Sequence, residues 1–111
     1  MAVIRTISLA PGANTGWHYH PALVQAVLLS GELTRVLEDG RVEITRPGQF
    51  LTELPQQVHI GCNHGTEPVV ILANYQVAED GPLAIPAQAP AVAAAVAAGL
   101  GHRLAARLSN A

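Results

Sequence analysis

Between residues 3 and 77 the chain is cut into short apolar runs, and a turn signal closes almost every one. The signals are Pro11-Gly12, Asn14-Thr15-Gly16, Ser30-Gly31, Asp39-Gly40, Pro47-Gly48 and Asn63-His64-Gly65. Glycine, asparagine and aspartate tolerate the positive φ of tight turns, and proline disrupts regular strand pairing. The runs between them, 3–9, 17–20, 23–29, 33–37, 41–45, 50–54, 57–60 and 69–77, therefore read as strands. Many short strands at close turn spacing indicate an all-β sandwich or barrel. Glu38-Asp39-Gly40 between two such runs predicts a hairpin, and the apolar run 23–29 suits a strand buried on both faces.

After Pro82 the character of the chain changes. Residues 87–111 are rich in alanine, with Pro86 and Pro90 at the entrance, which predicts a helix. Val92, Val96, Leu100, Leu104 and Leu108 recur every fourth residue and form an apolar stripe, while Gly99 and Gly101 oppose the helix. Such a helix needs a surface to pack on, either a face of the β unit or a partner. The expected division is a β domain over 1–82 and a helical tail over 83–111. Half of the residues are hydrophobic and the formal net charge is −2, which supports a packed core and disfavours a nucleic-acid partner. Cys62 is the single cysteine, so no internal disulfide forms. The N-terminus reads directly into a strand rather than a signal peptide, and no apolar run suits a membrane span, so the expectation is a cytoplasmic protein.

The chemistry concentrates in Gly16-Trp17-His18-Tyr19-His20-Pro21. Alternate side chains of a strand share a face, so His18 and His20 aim two imidazoles the same way and Trp17 and Tyr19 point oppositely. Neutral imidazole is the commonest metal ligand near pH 7, although such a pair also occurs at an ordinary strand end.

The spacing resembles that of the cupin superfamily, small double-stranded β-helix barrels of the jelly-roll class. Gly12, then five residues, then His18-Tyr19-His20, and finally Gly31 follow its first motif, G-x5-H-x-H-x3,4-E-x6-G. Gly48, His59 and Asn63 stand in register with its second, G-x5-P-x-G-x2-H-x3-N. Leu54 and Gln56 replace the proline and glycine of that second motif, and Val24 occupies the glutamate position of the first. Gln25 is adjacent to that position and reaches inward only after a one-residue register shift. The resemblance implies an all-β jelly-roll barrel with a C-terminal Ala-rich helix. It also implies a divalent transition metal (Zn, Fe, Ni, Cu or Mn) on His18, His20 and His59. With valine in the glutamate position, the ion is expected to keep its full positive charge and to attract a small anionic or enolisable molecule.

Gln57 shares strand parity with His59 and Tyr75 ends a hydrophobic strand, so both are candidates for the pocket wall, with Gln25 a third. Glu32, Glu43 and Glu53 look scattered and make no evident acid–base pair, and His64 and His102 have no motif partner. Two functions fit: a metal-dependent enzyme of oxygenase or hydrolase/isomerase type, and a non-catalytic metal- or small-molecule-binding module. A homodimer is expected in either case, since small cupins resemble one another in pairing barrels through their sheets.

Overall fold

The computed structural model describes residues 2–77 and 81–109, and gives side chains of the terminal helix only as far as Gly101. Among the described residues nine strands precede one helix: β1 (Ala2–Leu9), β2 (His18–Tyr19), β3 (Val24–Ser30), β4 (Leu33–Leu37), β5 (Val42–Thr45), β6 (Phe50–Glu53), β7 (His59–Cys62), β8 (Val69–Gln76), β9 (Ile85–Pro86) and α1 (Ala91–Ser109). They form two antiparallel sheets, ordered β1-β8-β3-β6 and β5-β4-β7-β2-β9, in the double-stranded β-helix arrangement. The predicted hairpin joins β4 to β5, with Val36 opposite Val42. Segment 83–86, grouped with the tail by composition, instead joins the barrel: β9 pairs with β2, and the Leu83 carbonyl bonds to His20. No helix among the described residues is long and apolar enough to cross a membrane.

The main core fills the space between the sheets. Leu9, Val24, Ala26, Leu28, Leu33, Leu51, Val69, Ile71, Ala73, Tyr75 and Val77 meet there. A second cluster lies outside the five-stranded sheet, where α1 covers Val36, Ile60 and Cys62 with Ala93, Val96, Ala97 and Leu100, and Trp17 packs beside them. This cover buries β4 and β7 on both faces. The packed stripe of α1 begins at Ala93, since Val92 is exposed. Leu104 and Leu108, also expected in the stripe, and His102 lie beyond the described side chains.

Strand β3 departs from its expected burial on both faces. Val24, Ala26 and Leu28 face the core, whereas Gln25 and Leu29 are exposed on the outer face of the four-stranded sheet. That face is partly apolar: Ile4, Val27, Phe50 and Leu72 line a shallow groove there together with Gln25, Thr52 and Asn74, and Phe50 is 83% exposed. A partly apolar outer face leaves β3 without the alternation that marks a one-sided strand.

Two turns fix the frame around the interior. Gly31 has φ of 77°, and a Cβ there would sit 2.5 Å from the Pro68 carbonyl oxygen. Both the backbone and the close approach of the neighbouring chain demand glycine. Gln56, at the glycine position of the second motif, keeps a left-handed φ of 67°. The turn has retained its geometry although its sequence has changed, at a cost of ~1–2 kcal/mol for a residue with a Cβ. Asn63 is fully buried and ties three strand ends together. Its amide donates to the Leu9 and Glu67 carbonyls, and its carbonyl accepts from the Gly65 backbone.

Two substitutions test this frame by urea denaturation. Gly31→Ala is expected to lower unfolding free energy by about 2–4 kcal/mol, from backbone strain plus the clash with the Pro68 carbonyl. Gln56→Gly is expected to raise it by up to ~1 kcal/mol, because relief of the left-handed strain exceeds the added chain entropy of glycine.

Candidate metal centre

His18, His20 and His59 meet inside the barrel because strand pairing brings them there. His18 stands directly opposite His59 across β2–β7, and alternation puts His20 on the same side. Ring centroids lie 4.9 Å apart for His18–His20, 4.3 Å for His18–His59 and 5.1 Å for His20–His59. One nitrogen of each ring falls within 4.8 Å of the others. Two nitrogens on opposite sides of one ion at ~2.1 Å are ~4.2 Å apart, so the cluster is at most slightly wider than a closed coordination shell.

Backbone carbonyls orient all three rings. Nδ1 of His18 lies 2.8 Å from the Gly16 oxygen, Nδ1 of His20 2.8 Å from the Leu83 oxygen, and Nδ1 of His59 2.9 Å from the Gln57 oxygen. A carbonyl can only accept, so Nδ1 carries the proton and donates. In the neutral ring this leaves Nε2 bare, which is the state a metal ligand requires. His20 Nε2 is fully buried and has no hydrogen-bond partner. An orphaned buried nitrogen within a cluster of imidazoles fits a bound transition metal, whose preferred donors these are.

A carboxylate also enters the cluster. Glu53, at the end of β6, touches Nε2 of His59 and places Oε1 3.4 Å from Nε2 of His20. The carboxylate thus lies against two of the three rings, an approach that the scattered glutamates of the sequence did not suggest. Behind Glu53 stands Arg35, 4% exposed. Arg35 donates to Glu43 at 2.7 Å, holds another nitrogen 3.7 Å from Glu53 Oε2, and leaves its Nε without a partner.

Electrostatics follow from this packing. Burial works against ionisation of Glu53, but the facing His20 and His59 outweigh it and hold the carboxyl far below the usual carboxylate range. Burial also disfavours the charged form of His20, yet Glu53 and the Leu83 carbonyl prevail and raise its pKa. For His18 burial dominates and lowers the pKa, so this ring is neutral near pH 7. Burial pushes the Tyr75 phenol up, so it remains a proton donor there.

The interior cavity is small, about 50 Å³. Tyr75 lines it together with Thr15, Arg35, Glu53 and the histidines, and its ring lies 5.6 Å from that of His20. Gln57 contributes its backbone oxygen to His59 rather than its amide to the cavity wall. Gln25 is exposed on the far side of its sheet, with no register shift at its position, and does not reach the centre. Glu53, which sequence reasoning missed, shares its face of β6 with buried Leu51. That parity was the available signal, but Phe50 and Leu54 on the opposite parity concealed it.

An uncharacterised double-stranded β-helix protein from Klebsiella pneumoniae is 27% identical, with a TM-score of 0.60, over 66% of this chain and 61% of that one. The DMSP lyase DddQ from Ruegeria pomeroyi has a TM-score of 0.70 at 16% identity, over 79% of this chain and 44% of its own. An oxalate oxidase in complex with the substrate analogue glycolate has a TM-score of 0.66 at 16% identity, over 98% of this chain and 64% of that one. This chain thus spans from under half to under two thirds of these proteins, and the latter two likenesses show the fold alone. No curated protein matches the chain. The cupin domain family model matches residues 5–75, well over half of the sequence, and the chain belongs to the cupin family.

Proposed function

We propose that this chain is a metal-dependent cupin enzyme that acts on a small organic acid or enolisable molecule at an ion held by His18, His20 and His59. The observation that carries the reading is the set of three Nδ1–carbonyl bonds, which leave three bare nitrogens in one buried cavity. A bound ion would supply Lewis acidity or redox chemistry. The chain's own residues would select and orient the substrate. A cavity of about 50 Å³ admits only a few non-hydrogen atoms beside an ion. Arg35, buried beside it with a free Nε–H, favours an anionic group. The Tyr75 hydroxyl, protonated near neutrality, offers a donor on the opposite sheet. The oxalate oxidase among the fold relatives is named for a small carboxylate and holds the substrate analogue glycolate, which agrees with this size and charge.

Turnover of a panel of small carboxylates, followed by NMR, tests the reading. Activity is expected with a restored transition metal and not after chelation or in His59→Ala. Tight metal binding with no turnover of any member would identify a capture module instead.

Metal removal also has a stability signature. At free metal ~100-fold above its dissociation constant, binding adds ~2.7 kcal/mol, or about 10 °C in Tm for a domain of this size. The pH dependence has a definite sign. In the metal-free protein, the contribution of His20, whose pKa is raised, is present below about pH 6.5 and is lost as pH rises through the folded value. That of Glu53, whose pKa is lowered, is present above about pH 4.5 and is lost as pH falls through the folded value. The metal requires neutral rings, so its affinity falls as pH drops below about 6.5. Chelation is therefore expected to lower Tm much more at pH 7.5 than at pH 5.5, measured by differential scanning calorimetry. Equal shifts at the two pH values would contradict this linkage.

A further inference from the structure

We propose that Glu53 is a fourth, anionic ligand of the ion, so that the centre takes its carboxylate from β6 and not from the strand that follows the paired histidines. The proposal rests on the reading that His18, His20 and His59 hold a metal.

The proton on each Nδ1 is committed to a carbonyl, so Nε2 of a neutral ring is an acceptor only. Glu53 brings two further acceptors against two of these nitrogens, touching His59 and standing 3.4 Å from His20. Without metal, a proton on a ring can bridge such a contact, as the raised pKa of His20 reflects, but when the rings are neutral these buried acceptors need a cation between them. Arg35 does not fill that role: it lies behind the carboxylate, 3.7 Å from Oε2, and its closest acceptor is Glu43 at 2.7 Å. A shared metal ion satisfies the histidine nitrogens and the carboxylate together.

Sheet register shows how the carboxylate gets there. Glu53 is directly opposite Val24 across β3–β6, and Val24 is directly opposite Tyr75 across β3–β8. Directly paired residues share a face and lie ~4.5–5.5 Å apart at Cβ, so all three point inward at one level. Val24 is 1% exposed and carries no donor, whereas its neighbour does. A carboxylate at either position approaches the same point from adjacent strands. With Glu53 bound, a divalent ion and its protein ligands carry one positive charge and not two.

Cobalt(II) serves as the probe, with affinity read by chelator competition and ligand set by the visible d–d bands. Glu53→Gln is expected to weaken cobalt binding at least ~10–100-fold and to alter the bands. The swapped variant Glu53→Val with Val24→Glu is expected to return affinity to within about tenfold of the wild type, because the carboxylate moves one strand sideways on the same face. Glu53→Gln binding with unchanged affinity, or with weaker affinity but unchanged bands, would overturn the proposal and leave Glu53 an outer partner. If the swapped variant does not fold, as judged by its melting curve, the bands of Glu53→Gln decide. His59→Ala separates the two levels: cobalt binding as strong in this variant as in the wild type would reject the metal centre itself.

Discussion

Everything in the interior depends on three carbonyl oxygens that accept from histidine Nδ1. They come from Gly16, Gln57 and Leu83, in three separate connections that flank the short strands β2, β7 and β9. An imidazole has two nitrogens of opposite character when neutral, and the hydrogen bond on one decides what the other can do. Here the backbone makes that decision, and Thr15 Oγ1 stands 3.4 Å from Nδ1 of His18 beside it. The chemistry is thereby tied to loop geometry. The Gln56 backbone, which donates to the His20 carbonyl, and the Gln57 carbonyl, which holds His59, are consecutive residues of one strained turn. Retaining that strain keeps two of the three histidines in orientation.

Beside the rings, the buried charges ask for an explanation other than stability. Arg35, Glu53 and two imidazoles occupy volume that apolar side chains could fill. Replacing a buried ionic cluster by well-packed hydrophobes is often neutral or stabilising by ~1–4 kcal/mol. An arrangement made only for stability has no reason to leave the Nε of Arg35 and the Nε2 of His20 without partners in the same cavity. Unused buried donors and acceptors are tolerable where a third party completes them, and an ion with a small anion would complete both.

Much of this was legible in the sequence, for a physical reason. Strand alternation fixed the common face of His18 and His20, turn residues marked the strand ends, and the motif spacing joined His59 to them. Asn63 stood out by register and proves to be a fully buried tie. Glu53 was not legible, because a reader assigns the apolar parity of a strand to the core. In β6 that rule selects Phe50, which is 83% exposed, and discards Glu53. Val27 and Leu29 on the outer side likewise made β3 look buried on both faces. Both have one source: the solvent face of the four-stranded sheet carries Val27, Leu29, Phe50 and Leu72 among its polar residues, and period-two patterning weakens where apolar side chains stand on both faces.

A motif can lose a residue at one position while the site keeps a carboxylate at the same level, as Glu53 opposite Val24 shows. A sequence motif records positions along one strand, whereas a site between two sheets is defined by rows across strands. One row runs Val3, Tyr75, Val24, Glu53 through β1, β8, β3 and β6. Another runs Leu37, His59, His18, Pro86 through β4, β7, β2 and β9. The first row supplies a phenol and a carboxylate and the second supplies imidazoles. Within a row, a donor can change strand with little change in where its side chain ends, since paired Cβ atoms are separated by about the length of a carboxylate side chain. A vacant motif position therefore removes a donor from its strand, and whether the site has lost it depends on the residue directly opposite.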